Sequence, residues 1–308
     1  MDNKYERIQI INSDTGEVLG NTLKTKNEEV VLSTKRILTD KQKAFLNNLN
    51  DFKSYASGQG GFVQMLFLQK HKLDLGNCDK ATLSRLVYLS TYIDYNNRQE
   101  NLLVKKGIRN TLEPMTRKDI QGVLKLSDNA FRTFMADVKL NNLIYEIDNK
   151  FYVTDVLFTK GEIDKDKHYN GYAKLFVKCI RNLYEGTTPR QHKVLSKVFM
   201  LVPFIHINTN IITFDPDTTL DDHVNPMSLE DIGELLDIKD NKGNLKKLVR
   251  DLEKFTVKIE TIDYKMFTYV MQSDRDYFVI NPRVVYRGND YEKMCWVADT
   301  YFFRNNKK

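Results

Sequence analysis

The chain has 308 residues, 41% hydrophobic and 29% charged, with a net charge of +6 and a pI near 8.9. That length suffices for two domains of ordinary size with packed cores. No apolar run approaches the roughly 20 residues that cross a bilayer, and the start Met1-Asp2-Asn3-Lys4-Tyr5-Glu6-Arg7 has no signal-type apolar stretch, so no membrane partner and a cytoplasmic location are expected. Cys78, Cys179 and Cys295 lie far apart without CxxC spacing, so neither a zinc site nor a disulfide framework is suggested. Mild basicity is compatible with a polyanionic partner without demanding one.

In chain order, residues 1–60 read as a small hairpin and a helix. Arg7-Ile8-Gln9-Ile10-Ile11 and Val18-Leu19 flank the turn Asp14-Thr15-Gly16-Glu17, and a helix is expected from Thr39-Asp40 with Phe45, Leu46, Leu49 and Phe52 on one face. Ser57-Gly58-Gln59-Gly60-Gly61 reads as a flexible joint. Residues 61–161 then open with a strand-like alternation, Gly61 to Phe67, and continue with a helix carrying Leu83, Leu86, Val87 and Leu89. Thr116 and Asp119 make an S/T-x-x-[DE] helix start, followed by Ile120, Val123 and Leu124 on one face. After the turn Lys125-Leu126-Ser127, a second helix has Phe131, Phe134, Met135 and Val138 on its inner side. A hairpin follows, Leu143 to Ile147 and Phe151 to Val153 around Asp148-Asn149-Lys150.

Residues 162–170, rich in Asp and Lys, read as a linker, and residues 171–288 repeat the pattern. Leu83-Ser84-Arg85 matches Leu195-Ser196-Lys197, Tyr92-Ile93 matches Phe204-Ile205, Pro114-Met115-Thr116 matches Pro226-Met227-Ser228, and Asp119-Ile120 matches Asp231-Ile232, at one constant offset without a gap. Gly61 to Phe67 resembles Gly171 to Val177. Phe151-Tyr152-Val153, ending at Lys160-Gly161, resembles Tyr277-Phe278-Val279, ending at Arg287-Gly288. The second copy repeats the paired helices with Leu245, Leu248, Val249 and Leu252 inward, then a longer excursion from Val257 to Ile280 turning near Ser273 to Asp276. The aromatic end, Tyr291 to Phe303 with Trp296, is expected to pack back, and residues 289–308 form a C-terminal tail. A short helix, tight turn, second helix and hairpin, present twice, predicts an α+β, mainly helical chain of two tandem winged helix-turn-helix domains.

The second helix of each pair shows a donor-rich outer face: Asn129, Arg132 and Thr133 in the first copy, Asn244, Lys246, Lys247 and Arg250 in the second. Arg and Asn reach base edges in a major groove, and Lys mostly neutralises phosphates. A solvated helix face is also Lys-rich, and it is the placement after a helix and turn, twice, that favours DNA. Arg117, Lys118, Lys239, Lys242 and Arg275 complete the expected contact set. No GxxxxGK[ST], HExxH or GxSxG occurs, so no catalytic residue, metal or cofactor is expected. His206-Ile207-Asn208 falls short of a metal pair, and Asp215, Asp217, Asp221 and Asp222 read as a polar surface loop.

Several of these segments resemble the RepL-type replication proteins of firmicute plasmids and related phage proteins: Gly171-Tyr172-Ala173-Lys174-Leu175-Phe176, Pro226-Met227-Ser228-Leu229-Glu230-Asp231-Ile232, Asn244-Leu245-Lys246-Lys247-Leu248 and Ile280-Asn281-Pro282-Arg283-Val284-Val285-Tyr286-Arg287-Gly288, with the early Asp14-Thr15-Gly16-Glu17-Val18. The resemblance covers the second copy well and the first in diluted form, where Thr154-Asp155 stands for Asn281-Pro282. It implies a winged-helix, non-enzymatic protein that binds an origin or promoter on a mobile element. The doubling departs from it.

The expectation is a sequence-specific double-stranded DNA-binding protein, serving replication initiation or, alternatively, transcription regulation on a plasmid or phage. An adaptor binding a replisome or RNA polymerase component is the rival from another class, and a homodimer is a compatible assembly.

Overall fold

The computed structural model describes residues 5–11, 18–25, 30–31, 38–67, 73, 75–95, 101–163, 169, 171–220, 224–238, 242–271 and 276–302. The chain forms two compact units, Met1–Asp51 and Phe52–Lys308. The smaller holds an antiparallel sheet of β1 (Tyr5–Ile11), β2 (Val18–Thr25) and β3 (Val30–Val31), then most of α1 (Asp40–Gly58). The hairpin register sets Tyr5 opposite Thr25 and Ile10 opposite Gly20. Its turn, Asp14 to Glu17, lies outside the described residues. Thr39 starts α1 with a reciprocal cap: its hydroxyl accepts from Gln42 N at 3.2 Å, and Gln42 Oε1 accepts from Thr39 N at 3.0 Å.

The larger unit begins with the last turns of α1. It continues through β4 (Phe62–Leu66), α2 (Thr82–Ser90), β5 (Val104–Lys106), β6 (Leu112–Pro114), α3 (Arg117–Leu124), α4 (Asp128–Leu140), β7 (Ile144–Ile147), β8 (Lys150–Val153) and β9 (Phe158–Thr159). Next come β10 (Tyr172–Phe176), α5 (Val177–Glu185), α6 (His192–Met200), α7 (Leu229–Leu235), α8 (Lys242–Leu252), β11 (Thr256–Ile259), β12 (Ile262–Lys265), β13 (Phe267–Val270), β14 (Tyr277–Ile280), β15 (Val285–Tyr286) and α9 (Tyr291–Phe302).

The α+β class stands, but the two tandem winged helix-turn-helix domains expected from the sequence do not. The strands that open the two copies pair with each other, in one antiparallel sheet ordered β15-β10-β4-β9, and α2 packs on α6. One continuous core runs through both copies. The physical reason lies in the strands themselves. Val63, Gln64, Met65 and Leu66 are all buried, as are Ala173, Lys174, Leu175 and Phe176. A strand covered on both faces needs neighbours on both edges, and each copy supplies one for the other.

Inside this single unit the two halves are related by a local two-fold. In the β4–β10 ladder Gln64 lies opposite Lys174, the residue that matches it in the other copy, and Phe62 lies opposite Phe176 as Leu66 lies opposite Tyr172. At the α2–α6 crossing, Ser84 meets its own counterpart Ser196. Outer strands follow suit, with Gln64 paired to Thr159 and Lys174 to Tyr286. Two buried asparagines with positive φ, Asn101 (44°) and Asn210 (55°), donate from Nδ2 to matching carbonyls, Phe158 at 2.7 Å and Val285 at 2.7 Å. Lys160 Nζ donates to Ile93 O at 2.9 Å, and Arg287 Nη1 to Ile205 O at 2.9 Å.

These equivalences correct the alignment. Leu103 N bonds Phe151 O as Ile212 N bonds Phe278 O, and Met115 N bonds Leu103 O as Met227 N bonds Ile212 O. Leu103 therefore matches Ile212, and Phe151 matches Phe278 rather than Tyr277. The constant offset holds at Ile93 and Ile205 and again at Met115 and Met227, with compensating length changes between. The hairpin after α8 is β11–β12, turning at Glu260-Thr261, followed by a second hairpin, β13–β14. The joint at 57–61 is tied down: Gly61 N bonds Ala56 O at 2.8 Å, Lys178 N bonds Gln59 O at 2.9 Å, and Val177 N bonds Gly61 O at 3.1 Å. Helix α9 buries Met294, Val297, Ala298 and Phe302, whereas Trp296, expected to pack back with them, is 58% exposed.

Candidate nucleic-acid interface

Helix α3 starts at a capping box. Thr116 Oγ1 accepts from Asp119 N at 3.2 Å, and the Asp119 carboxylate accepts from Thr116 N at 2.9 Å. Lys105 adds a 2.8 Å ion pair to the same carboxylate. Burial pushes the Asp119 carboxyl up, but the hydrogen bonds from Lys105 and Thr116 outweigh it and bring it down to about 2. Ser228 and Asp231 repeat the box at α7, at 3.2 and 2.8 Å. A turn closes each first helix with a residue in left-handed conformation, Lys125 (φ 52°) or Asp237 (φ 53°), and aims the next helix.

Helix α4 buries Phe131, Phe134, Met135 and Val138 and exposes Asn129, Arg132, Thr133 and Ala136. Arg132 Nη2 donates to Asn129 Oδ1 at 2.7 Å, which couples the two donors expected to read bases. Helix α8 buries Leu245, Leu248 and Leu252 and exposes Asn244, Lys246, Lys247 and Arg250. The carboxylates of these helices are engaged elsewhere. Asp128 accepts from Gln121 Nε2 at 2.6 Å, Asp137 from Thr82 Oγ1 at 2.6 Å, and Asp251 from Lys254 Nζ at 2.9 Å. Arg117 and Lys118 are exposed on the first turn of α3, with the Arg117 guanidinium 5.2 Å from the Phe131 ring centre. Lys239, Arg275 and the side chain of Lys242 lie outside the described residues.

Packing sets the order α4–α2–α6–α8 across the molecule. The two donor faces therefore sit on dyad-related helices, α4 packed on α2 and α8 packed on α6. The sequence reading did not find the basic residues at that seam. Lys193 and Lys197 stand one turn apart on α6, and Lys80, just ahead of α2, reaches across to Asp237 at 3.1 Å. Burial lowers the Lys197 ammonium pKa, and the charges of Lys80, Lys193 and Lys247 lower it further, against a partial offset from Asp251. Three separate segments contribute these charges, so no local pattern in the sequence announces them.

The remaining motif residues are structural. Asn281 is buried; its Oδ1 accepts from Arg283 N at 2.9 Å and its Nδ2 donates to Lys265 O at 3.0 Å. Arg287 is buried against Asp217, Pro203 O and Ile205 O, and burial lowers its pKa. A side chain at Gly288 would meet the Tyr286 hydroxyl at 2.6 Å and Ile207 O at 2.8 Å, so the chain can pass there only as glycine. His206 is buried with Nδ1 beside the Thr209 hydroxyl at 3.0 Å. Asp221, Asp222 and His223 lie outside the described residues. Among the described residues no His, Cys, Asp and Glu group is placed to hold a metal ion, and no helix is long and apolar enough to cross a membrane.

Comparison with known proteins returns no match: no family model fits the chain, and no curated protein or solved structure aligns with it significantly.

Proposed function

We propose that this protein binds double-stranded DNA sequence-specifically through the exposed faces of α4 and α8, and acts by binding rather than by catalysis. The observation that carries this reading is the pair of dyad-related helices whose buried sides anchor them in one core and whose outer sides carry Asn129, Arg132 and Thr133 on one and Asn244, Lys246, Lys247 and Arg250 on the other. Arginine and asparagine pair with base edges, and lysine neutralises phosphate. A protein two-fold is mirrored in its site, so one chain would engage an imperfect inverted repeat, as a symmetric dimer does. The halves differ: the α8 face is the more cationic and suits backbone contact, and the coupled Asn129–Arg132 pair suits base readout. The resemblance of residues 171–288 to RepL-type proteins is compatible with an origin or a promoter on a mobile element, and we take the origin as the leading target.

The test is footprinting of the purified full chain over the DNA of the element that encodes it. The expected result is two adjacent protected half-sites in inverted orientation, at an origin. Protection confined to promoters would reassign the role to transcription. No protection at low salt would remove the DNA reading altogether.

A further inference from the structure

We infer that the seam between α2 and α6 is a phosphate-binding surface that grips the DNA backbone between the two half-sites. This rests on the proposed DNA reading and extends it to residues that neither donor helix contains. The seam lies between the two donor helices in the order of packing contacts, and we take the duplex that engages both to run past its exposed end, where Lys80 and Lys193 stand. Lys193 is exposed and Lys197 half-buried on α6; the neighbouring α8 presents Lys247 outward, and Lys80 enters from the other half of the molecule.

The cluster is under-compensated. The Lys80 partner, Asp237, is almost fully solvent-exposed, and a surface pair of that kind contributes little. Asp251 is shared with Lys254. Like charges crowded on one surface repel, and a polyanion that spans them relieves that repulsion; the Lys197 pKa is lowered first by its burial and then by the charges of Lys80, Lys193 and Lys247. The dyad-related surface differs. Ala81 and Arg85 replace Lys193 and Lys197; Arg85 turns toward the Phe134 ring at 5.8 Å, and Asp137 accepts from Asp79 N at 3.0 Å. The seam is therefore basic on the α6 side alone, and the grip on the backbone is one-sided.

Lysine contacts to phosphates release counterions, each worth a slope of about −0.9 in log affinity against log salt. The experiment compares wild type, Lys80→Ala/Lys193→Ala/Lys197→Gln and Lys246→Ala/Lys247→Ala/Arg250→Ala on the footprinted duplex and on a scrambled duplex, from low to moderate salt. The seam variant should flatten the slope by about 2 to 3 units, with the preference for the true site retained. Ethylation of phosphates between the half-sites should weaken wild-type binding and leave the seam variant unaffected. Should the seam variant fold poorly, Lys80→Glu/Lys193→Glu, both exposed, should flatten the slope by more than neutralisation of the same two lysines. An unchanged slope in the seam variants, beside a flattened slope in the α8 variant, would overturn the seam and leave the DNA reading intact. Absence of any salt-dependent DNA binding by wild type would remove both.

Discussion

The backbone N–H of Ser84, in the first turn of α2, donates to the hydroxyl of Ser196, its own counterpart in the other half, at 3.0 Å. Helix starts leave N–H groups without partners, and Ala81 gives α2 no side-chain cap. The second half therefore caps a helix of the first, at a fully buried site on the local two-fold. Ser196→Ala should cost about 1 kcal/mol, and the helical signal of residues 52–308 should be lost in one cooperative urea transition. Two resolved transitions for the halves would contradict the shared core.

Lys174 sits on the same two-fold, buried, with Nζ donating to Gly288 O at 2.8 Å. Burial, and then the charge of Arg287, bring its pKa down to about 7. The unfolded chain holds that proton to the ordinary lysine value of 10.5, so the folded state binds fewer protons above pH 7 and stability rises with pH. Between pH 7 and 9 the rise should approach about 1.4 kcal/mol per pH unit in urea titrations, and Lys174→Met should reduce it markedly. Buried Cys179, pushed up to about 12, works in the opposite direction above pH 9, which is why the comparison stops there.

His192 is buried and stacked on Tyr184, with ring centroids 4.4 Å apart. Burial, and then the charge of Arg85, lower its pKa to about 4. Its contribution is complete above the ordinary value of 6.5 and lost as pH falls from there toward 4, because the unfolded chain takes up the proton first. Melting temperature should fall over that window in wild type and fall less in His192→Gln.

The capping boxes were legible because they are local: Thr116 and Asp119 lie three residues apart, and so do Ser228 and Asp231. So were the inner faces of α4 and α8, whose apolar residues recur with helical spacing. The pairing of β4 with β10 was not. A strand's alternation says that a neighbour exists without naming it, and a buried Gln64 opposite a buried Lys174 reads in a linear pattern as a pair of side chains facing water. Helices α5 and α9 were not expected: α5 lies between the opening strand of the second copy and its next helix, where no element was assigned, and α9 lies in the segment read as a tail. The donor faces of the candidate site were readable; the seam lysines were not, because only folding brings Lys80 beside α6.

Asp119, lowered to about 2, stabilises the start of α3 above the ordinary carboxylate value of 3.8, and that contribution fades as pH falls toward 2. Asp119→Ala should cost about 1 kcal/mol at pH 7 and markedly less at pH 2.5, as read by thermal melts.

Arg132→Ala should remove about 1–3 kcal/mol of discrimination at one base pair while leaving affinity for scrambled duplex nearly unchanged. A uniform loss on every sequence would assign Arg132 to backbone contact.

The most direct measurement of DNA binding is the affinity of the purified chain for duplex DNA as a function of salt, for wild type and for Lys246→Ala/Lys247→Ala/Arg250→Ala. A steep negative slope of log affinity against log salt, flattened by about 3 units in the variant, is the result expected. Affinity undetectable at low salt, or a slope identical in the two proteins, would contradict DNA binding through α8.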